Sequence, residues 1–160
     1  MERKHWVIES QFEYCDLPCV VVFQRLGHRC GYVGVDKDHA LYNVDYQDVW
    51  LDENPHGGLT YSGSSHGDDY PIAVDYWWFG FDCAHFGDLQ DMETAIEYFP
   101  DDPEVQLLKS SPWRRYAFEE WESIKTKEFV EEECRKLARQ LAEQRKPILI
   151  KEEESVWEKE

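Results

Sequence analysis

A chain of 160 residues, 42% of them hydrophobic and 15% aromatic, can bury roughly two-thirds of its unfolded surface, so a core forms without metal or disulfide staples. The balance of 17 Lys plus Arg against 34 Asp plus Glu gives a formal charge of −17, which excludes nonspecific attraction to the phosphate backbone of DNA or RNA and to an anionic membrane. No window approaches the roughly 20 apolar residues of a spanning helix, and the N-terminal residues lead into a strand-like stretch rather than an apolar signal region, so the expected location is cytoplasmic.

Taken in order, Trp6 to Tyr14 alternates, with Trp6, Ile8, Ser10, Phe12 and Tyr14 expected on one side. Asp16-Leu17-Pro18 reads as a turn before the continuous apolar run Cys19 to Phe23, a more buried strand. Gly27-His28-Arg29 is a second turn, and Cys30 to Val35 suits a third antiparallel strand whose glycines mark places where something approaches the backbone closely. Residues 36–55 have no clean period and predict a structured connection with one short helix. A short strand is expected over Gly58 to Ser62 and a loop over 63–69. Tyr76 to Asp82 is the most strand-like segment, with Tyr76, Trp78 and Gly80 on one face and Trp77, Phe79 and Phe81 on the other.

Further on, Asp91 to Phe99 predicts a short helix that Pro100 to Pro103 terminates. From Lys125 to Gln144, Phe129, Val130, Cys134, Leu137, Ala138 and Leu141 recur at helical spacing, with Thr126 as N-cap and Pro147 beyond the end. Ile148 to Ile150 reads as a late strand or docking segment. The fold class is therefore α+β, an antiparallel sheet opening with a meander and packed against a C-terminal amphipathic helix. Residues 1–150 are expected to form a single globular domain and 151–160 an acidic, flexible tail. The five cysteines, Cys15, Cys19, Cys30, Cys83 and Cys134, are odd in number and scattered, and read as reduced thiols.

Two segments gather chemistry-bearing residues. In His56-Gly-Gly-Leu-Thr-Tyr-Ser-Gly63, the glycine pair lets a ligand approach the backbone and offers N–H donors, although glycine pairs serve tight turns equally well. In Trp77-Trp-Phe-Gly-Phe-Asp-Cys-Ala-His-Phe-Gly-Asp88, polar side chains leave the end of an aromatic strand. Three chemistries share these donors. A catalytic reading uses Cys83 as nucleophile, His56 or His85 as base and Asp88 as orienting carboxylate. A metal reading takes His56, His85 and one of Cys83, Asp82 or Asp88; no cofactor is required, but a divalent metal is compatible with the donor set. A binding reading uses His56, Gly57, Gly58, Thr60, Asp82 and His85 as hydrogen-bonding partners, with Trp77, Trp78 or Tyr61 stacking on a planar ring. Cys83 also has a plain reading as a space-filling core residue. His39 is a candidate for lining the same cleft; His5, His28 and His66 read as solvated side chains.

Gly31-Tyr-Val-Gly-Val35 with Asp36-Lys-Asp-His39 and Tyr42, then His56-Gly-Gly-Leu-Thr-Tyr61, then Trp77-Trp-Phe-Gly-Phe-Asp-Cys-Ala-His85 with Gly87-Asp88, resembles a family of small uncharacterised proteins encoded by bacteriophages and prophages. The final helix, from Phe129 to Leu141, is similar to the ending of those chains. The resemblance implies a bacterial cytosol as working environment and a class of accessory proteins that act against host defence, by capturing or degrading a nucleotide signal or by docking onto a defence protein.

The leading expectation is thus a binder of a polar or nucleotide-like small molecule, with a cleft between the sheet and the 36–62 connection. The alternative is a hydrolase or transferase using Cys83 or a metal-bound water with His56 and His85. A third reading is an acidic docking module that mimics nucleic acid and occupies a basic site on a host protein, with Glu131, Glu132 and Glu133 on its surface. The cations available to oppose the global field are Lys37, Arg114, Arg115 and the histidines.

Overall fold

The computed structural model describes residues 5–64, 75–110 and 122–144. Strands β1 (Trp6–Tyr14) and β2 (Leu17–Gln24) form a hairpin. Its turn is the pair Cys15 and Asp16, both at positive φ (54° and 62°), the left-handed backbone that matches the twist of a two-residue hairpin. The turn therefore lies earlier than Asp16-Leu17-Pro18: Leu17 and Pro18 belong to β2 and pair with Tyr14 and Glu13. Strand β3 (Arg29–Asp36) completes the meander.

The chain then passes through a 3₁₀ turn at Tyr46–Asp48, the short helix expected in that connection. It next builds β4 (Tyr61–Ser64) and β5 (Tyr76–Asp82), and β5 pairs with both β3 and β4. The five-stranded antiparallel sheet has the order β1-β2-β3-β5-β4. Strand β4 begins three residues later than expected, because Gly57 and Gly58 are used in a turn.

One sheet face carries Cys19, Val21, Val33, Val35, Phe79 and Phe81, which pack against helix α3 (Lys127–Glu143). Its stripe of Val130, Cys134, Leu137, Ala138 and Leu141 is completely buried, and Thr126 Oγ1 caps it by accepting from the Phe129 N–H at 3.1 Å. Gly31 lets helix and sheet meet: a Cβ there would lie 2.8 Å from Cys134 Sγ and 2.4 Å from the Phe81 ring. On the other face, Val20, Val22, Tyr32 and Trp78 form a second buried cluster, joined by Trp6 and Ile8. The face assignment along β5 is the one its alternation predicts.

Strand β1 departs from its alternation. A bulge between Ile8 and Ser10 puts Trp6 and Ile8 with the second cluster and Phe12 and Tyr14 with the helix-side core. The extra residue, Glu9, is 3% exposed at its side chain and receives Arg29 Nε at 2.6 Å.

Arg29 is the centre of a buried polar network. Its guanidinium also bonds Asp91 Oδ2 at 3.0 Å and the Lys125 carbonyl at 3.0 Å, and lies over the Phe23 ring. Tyr98 donates to Glu9 Oε2 at 2.9 Å. Asp91 in turn caps α1 (Met92–Tyr98), accepting from the Thr94 N–H.

Pro103 does not merely end that helix. It opens α2 (Pro103–Ser110) as its first residue, with Asp102 accepting from the N–H groups of Glu104 and Val105. A two-stranded parallel pair, β6 (Asp88–Leu89) with β7 (Ser123–Ile124), was not foreseen. Of the loop expected over 63–69, Gly63 and Ser64 belong instead to β4, where they pair with Trp78 and Trp77; the remainder with His66, and likewise Arg114, Arg115, Pro147, Ile148 to Ile150 and residues 151–160, lie outside the described residues. Among the described residues no helix is long and apolar enough to cross a membrane.

Candidate functional site

The two chemistry-bearing segments meet at the C-terminal end of β5. The Pro55 carbonyl accepts from the Gly58 N–H at 2.7 Å, and Gly57 and Gly58 take φ of 71° and 82°, so the chain reverses here. Thr60 then docks on the strand, its N–H on the Gly80 carbonyl at 2.9 Å and its hydroxyl on Asp82 Oδ2 at 3.1 Å. After β5, Asp82 Oδ1 accepts from the Ala84 N–H at 3.1 Å, and Asp88 closes the next turn by accepting from the His85 N–H at 3.0 Å. The imidazole of His85 settles directly on Gly57: a Cβ at that position would lie 2.2 Å from His85 Nε2.

This arrangement places His56 and His85 side by side, ring centroids 5.8 Å apart at an interplanar angle of 67°. Both imidazoles present Nε2 to a carboxylate. His56 Nε2 lies 2.9 and 2.8 Å from the two oxygens of Asp88, whose side chain is 2% exposed. His85 Nε2 is 3.2 Å from Asp82 Oδ1, buried, and off the line a hydrogen bond needs. Burial opposes the charge on Asp88, but the bonds from His56 and the His85 N–H, with Lys125 Nζ at 3.4 Å, outweigh it and hold the carboxyl below its ordinary range. Ionised Asp88 can only accept, so the proton shared with it belongs to His56 Nε2. Both imidazoles are partly exposed, their side chains at 24% for His56 and 35% for His85.

The residues singled out from sequence fall into two groups. His56, Gly57, Gly58, Thr60, Asp82, His85 and Asp88 come together. Cys83, Tyr61, Trp77 and Trp78 take other roles. Cys83 is 2% exposed, and burial together with the Asp88 charge pushes its thiol up to about 12, so it lacks the thiolate a nucleophile needs near neutral pH. Trp77 donates Nε1 to the Val44 carbonyl at 2.8 Å, and Trp78 is 2% exposed in the second cluster, where its Nε1 has no partner among the described residues. Tyr61 packs edge-on to Tyr32. None of these rings is available to stack a base beside the histidines. The Gly58 N–H is spent on its own turn rather than offered to a ligand.

His39 does not line the cleft. It is 8% exposed, with Nε2 donating to the Leu141 carbonyl at 2.7 Å and Nδ1 accepting from the Leu41 N–H, and so ties the first connection to the end of α3. His28 Nδ1 bonds the Cys83 carbonyl at 2.8 Å and steadies the site loop rather than sitting in solvent. Among the described residues no group of three or more His, Cys, Asp and Glu is arranged to hold a metal ion.

Three site residues escaped the motif reading. Lys125 pairs with Asp88, Phe129 sets its ring edge-on to His56 with centroids 5.5 Å apart, and Glu133 accepts from the His56 N–H at 2.9 Å. All come from the start of α3 and the residues before it. Phe129, 36% exposed, had a visible signal, since it stands at the margin of the apolar stripe. Phe86, beside His85, is 94% exposed. Two of the three acids singled out on α3 are engaged within the molecule, Glu131 accepting from Ser10 Oγ and Glu133 pairing with Lys136, while Glu132 is 60% exposed beside Arg135. No family model, curated protein or solved structure matches the chain.

Proposed function

We propose that the chain binds a small polar ligand of nucleotide-like character at the His56 and His85 pair. The observation that carries this reading is the pairing itself. Two imidazoles from segments 29 positions apart stand side by side, each with Nε2 beside a carboxylate and part of its side chain exposed. Lys125 supplies a local cation in a protein of strongly negative overall charge, and Phe129 an apolar wall. The resemblance to bacteriophage and prophage proteins supports a nucleotide signal of a bacterial cytosol as the ligand and counter-defence as its setting.

The test is a titration of the histidine-labelled protein with mononucleotides, cyclic nucleotides and dinucleotides, followed by NMR. Saturable shifts of the His56 and His85 ring signals, lost together in His56→Gln, are expected. Shifts confined to other parts of the molecule, or none with any probe, would count decisively against this site.

A further inference from the structure

We propose that the sheet edge at Gln11–Tyr14 takes up an extended segment of a partner protein as an additional strand, with a Lys or Arg side chain of that segment lying beside Glu13. This surface is separate from the histidine pair. It lies on the sheet face opposite α3, whereas His56 packs against Phe129 of that helix.

Strand β1 stands at one end of the sheet order and pairs with β2, and among the described residues no other backbone–backbone hydrogen bond reaches Val7–Tyr14. Alternate residues of such a strand turn N–H and C=O outward, which makes a template for another strand unless a bulge, a proline or a covering element intervenes. The bulge with its inward Glu9 guards the first half of β1. Past Ser10 the register with β2 runs unbroken to Tyr14, and no proline interrupts it.

Beside this second half is an open depression of about 280 Å³ lined by Gln11, Phe12, Glu13, Pro18, Cys19 and Val20. Gln11 faces Val20 and Glu13 faces Pro18 across the two strands, so these four side chains share the face away from α3, while Phe12 and Cys19 turn towards the helix. Val20 and Pro18 supply apolar surface. Behind Pro18 stands the Trp78 ring, since a Cβ at Gly34 would meet the ring at 3.0 Å and Pro18 Cγ at 3.1 Å. Gln11 and Glu13 are exposed, and neither side chain has a hydrogen-bond or ion-pair partner among the described residues.

Charge selects the occupant. A long basic side chain matches both parts of the depression, its methylenes on Val20 and Pro18 and its head at the Glu13 carboxylate. A second copy of the chain does not, because β1 itself carries no Lys or Arg to meet Glu13 and the approach brings together two bodies of charge −17. Main-chain hydrogen bonds supply the affinity of such strand addition, and the side-chain depression its selectivity.

The experiment titrates the full chain with acetylated, amidated Thr-Val-Xaa-Val-Thr peptides, Xaa being Lys, Arg, Leu or Glu, and follows the backbone amides by NMR. Saturable shifts centred on Gln11–Tyr14 are expected with Lys and Arg, and the Glu peptide should bind roughly 3–10-fold more weakly. Glu13→Lys should remove this preference, which general attraction to an acidic protein would not do. Two N-methylated forms of the Lys peptide separate strand pairing from capture of the side chain alone: methylation along the edge facing β1 should abolish binding, and along the opposite edge should leave it unchanged. A preference undisturbed by Glu13→Lys, equal tolerance of both methylations, or no saturable shift at Gln11–Tyr14 with any peptide would overturn the proposal. So would a dimer in sedimentation velocity whose interface protects these amides.

Discussion

Replacing Gly57 by Ala tests the geometry on which the site depends, and Gly58→Ala is its internal control. Both glycines occupy left-handed backbone, at φ of 71° and 82°, so each substitution carries the same strain of about 1–2 kcal/mol for an L-residue with a Cβ. They differ in what the new methyl meets. At Gly58 nothing lies within 4 Å, whereas at Gly57 the Cβ would stand 2.2 Å from His85 Nε2 and 2.4 Å from its Cδ2. Real carbon contacts do not approach that closely, so the imidazole must swing away, adding about 1–3 kcal/mol of overpacking. Gly57→Ala should therefore cost about 2–5 kcal/mol, against about 1–2 kcal/mol for Gly58→Ala. Urea unfolding followed by tryptophan fluorescence measures both, with unchanged slopes confirming that the denatured states are comparable. The variants should differ in a second way: Gly57→Ala should displace the His85 ring signals and weaken ligand binding, while Gly58→Ala leaves both in place. Equal stability losses together with undisturbed His85 resonances would refute the contact.

The remaining predictions concern the thiols, the buried arginine and Asp88. Cys83→Ala should leave ligand affinity unchanged, and a disulfide reagent should label exposed Cys15 in the native protein but reach Cys83 only on unfolding; rapid native labelling of Cys83 would contradict its burial. Because burial raises the Cys19 and Cys83 thiols from 9.0 to about 12, the folded state binds these protons more tightly than the unfolded chain. Stability should fall as pH rises from 9 towards 12, by about 1.4 kcal/mol per pH unit for each thiol, and Cys83→Ala should flatten that slope. Arg29→Met leaves Glu9 and Asp91 without their cation and should cost about 3–5 kcal/mol, while adding Glu9→Gln to it should recover part of the loss in thermal unfolding. Asp88 has a folded-state pKa below 3.8, so its contribution is present above that pH and disappears as pH falls through the lower folded value; Asp88→Asn should remove this part of the acid transition.

What could be read from the sequence follows from the range of the interaction involved. The two faces of Tyr76–Asp82, the stripe of α3 and the Thr126 cap depend on spacings within a few residues, and each stands where the spacing puts it. The bulge in β1 depends instead on partners 20 and 89 positions away, Arg29 and Tyr98, and no local alternation can reveal that Glu9 must be turned inward to neutralise a buried guanidinium. Pro103 shows the same limit on a smaller scale. As a terminator and as a first helical residue it has the same fixed φ, and the choice is made by Asp102, whose carboxylate caps the N–H groups that follow. The tryptophans misled because an aromatic strand in mid-sheet buries its rings on both faces; only the residues beyond its end are free to build a site.

The convergence of the two motifs has a structural cause that also connects them to the bulge. Cys83 donates its N–H to the Arg29 carbonyl, so the loop leaving β5 remains fastened to β3 as it turns towards His85. Lys125 joins the same anchor from the other side: its carbonyl receives Arg29 Nη1 at 3.0 Å while its Nζ lies 3.4 Å from Asp88 Oδ1. After the hydrogen bonds from His56 and the His85 N–H, the Lys125 charge also helps to hold Asp88 ionised, and the guanidinium that Glu9 neutralises positions it. Loss of Arg29 should accordingly do more than destabilise the fold. With its carbonyl released, Lys125 no longer has a fixed approach to Asp88, and the carboxylate that orients His56 loses part of the field keeping it charged. A fold-level variant far from the imidazoles in sequence is therefore expected to shift the acid titration of Asp88. Arg29→Lys, which keeps the charge but not the fork that reaches Glu9, Asp91 and the Lys125 carbonyl together, should produce the same shift in weaker form.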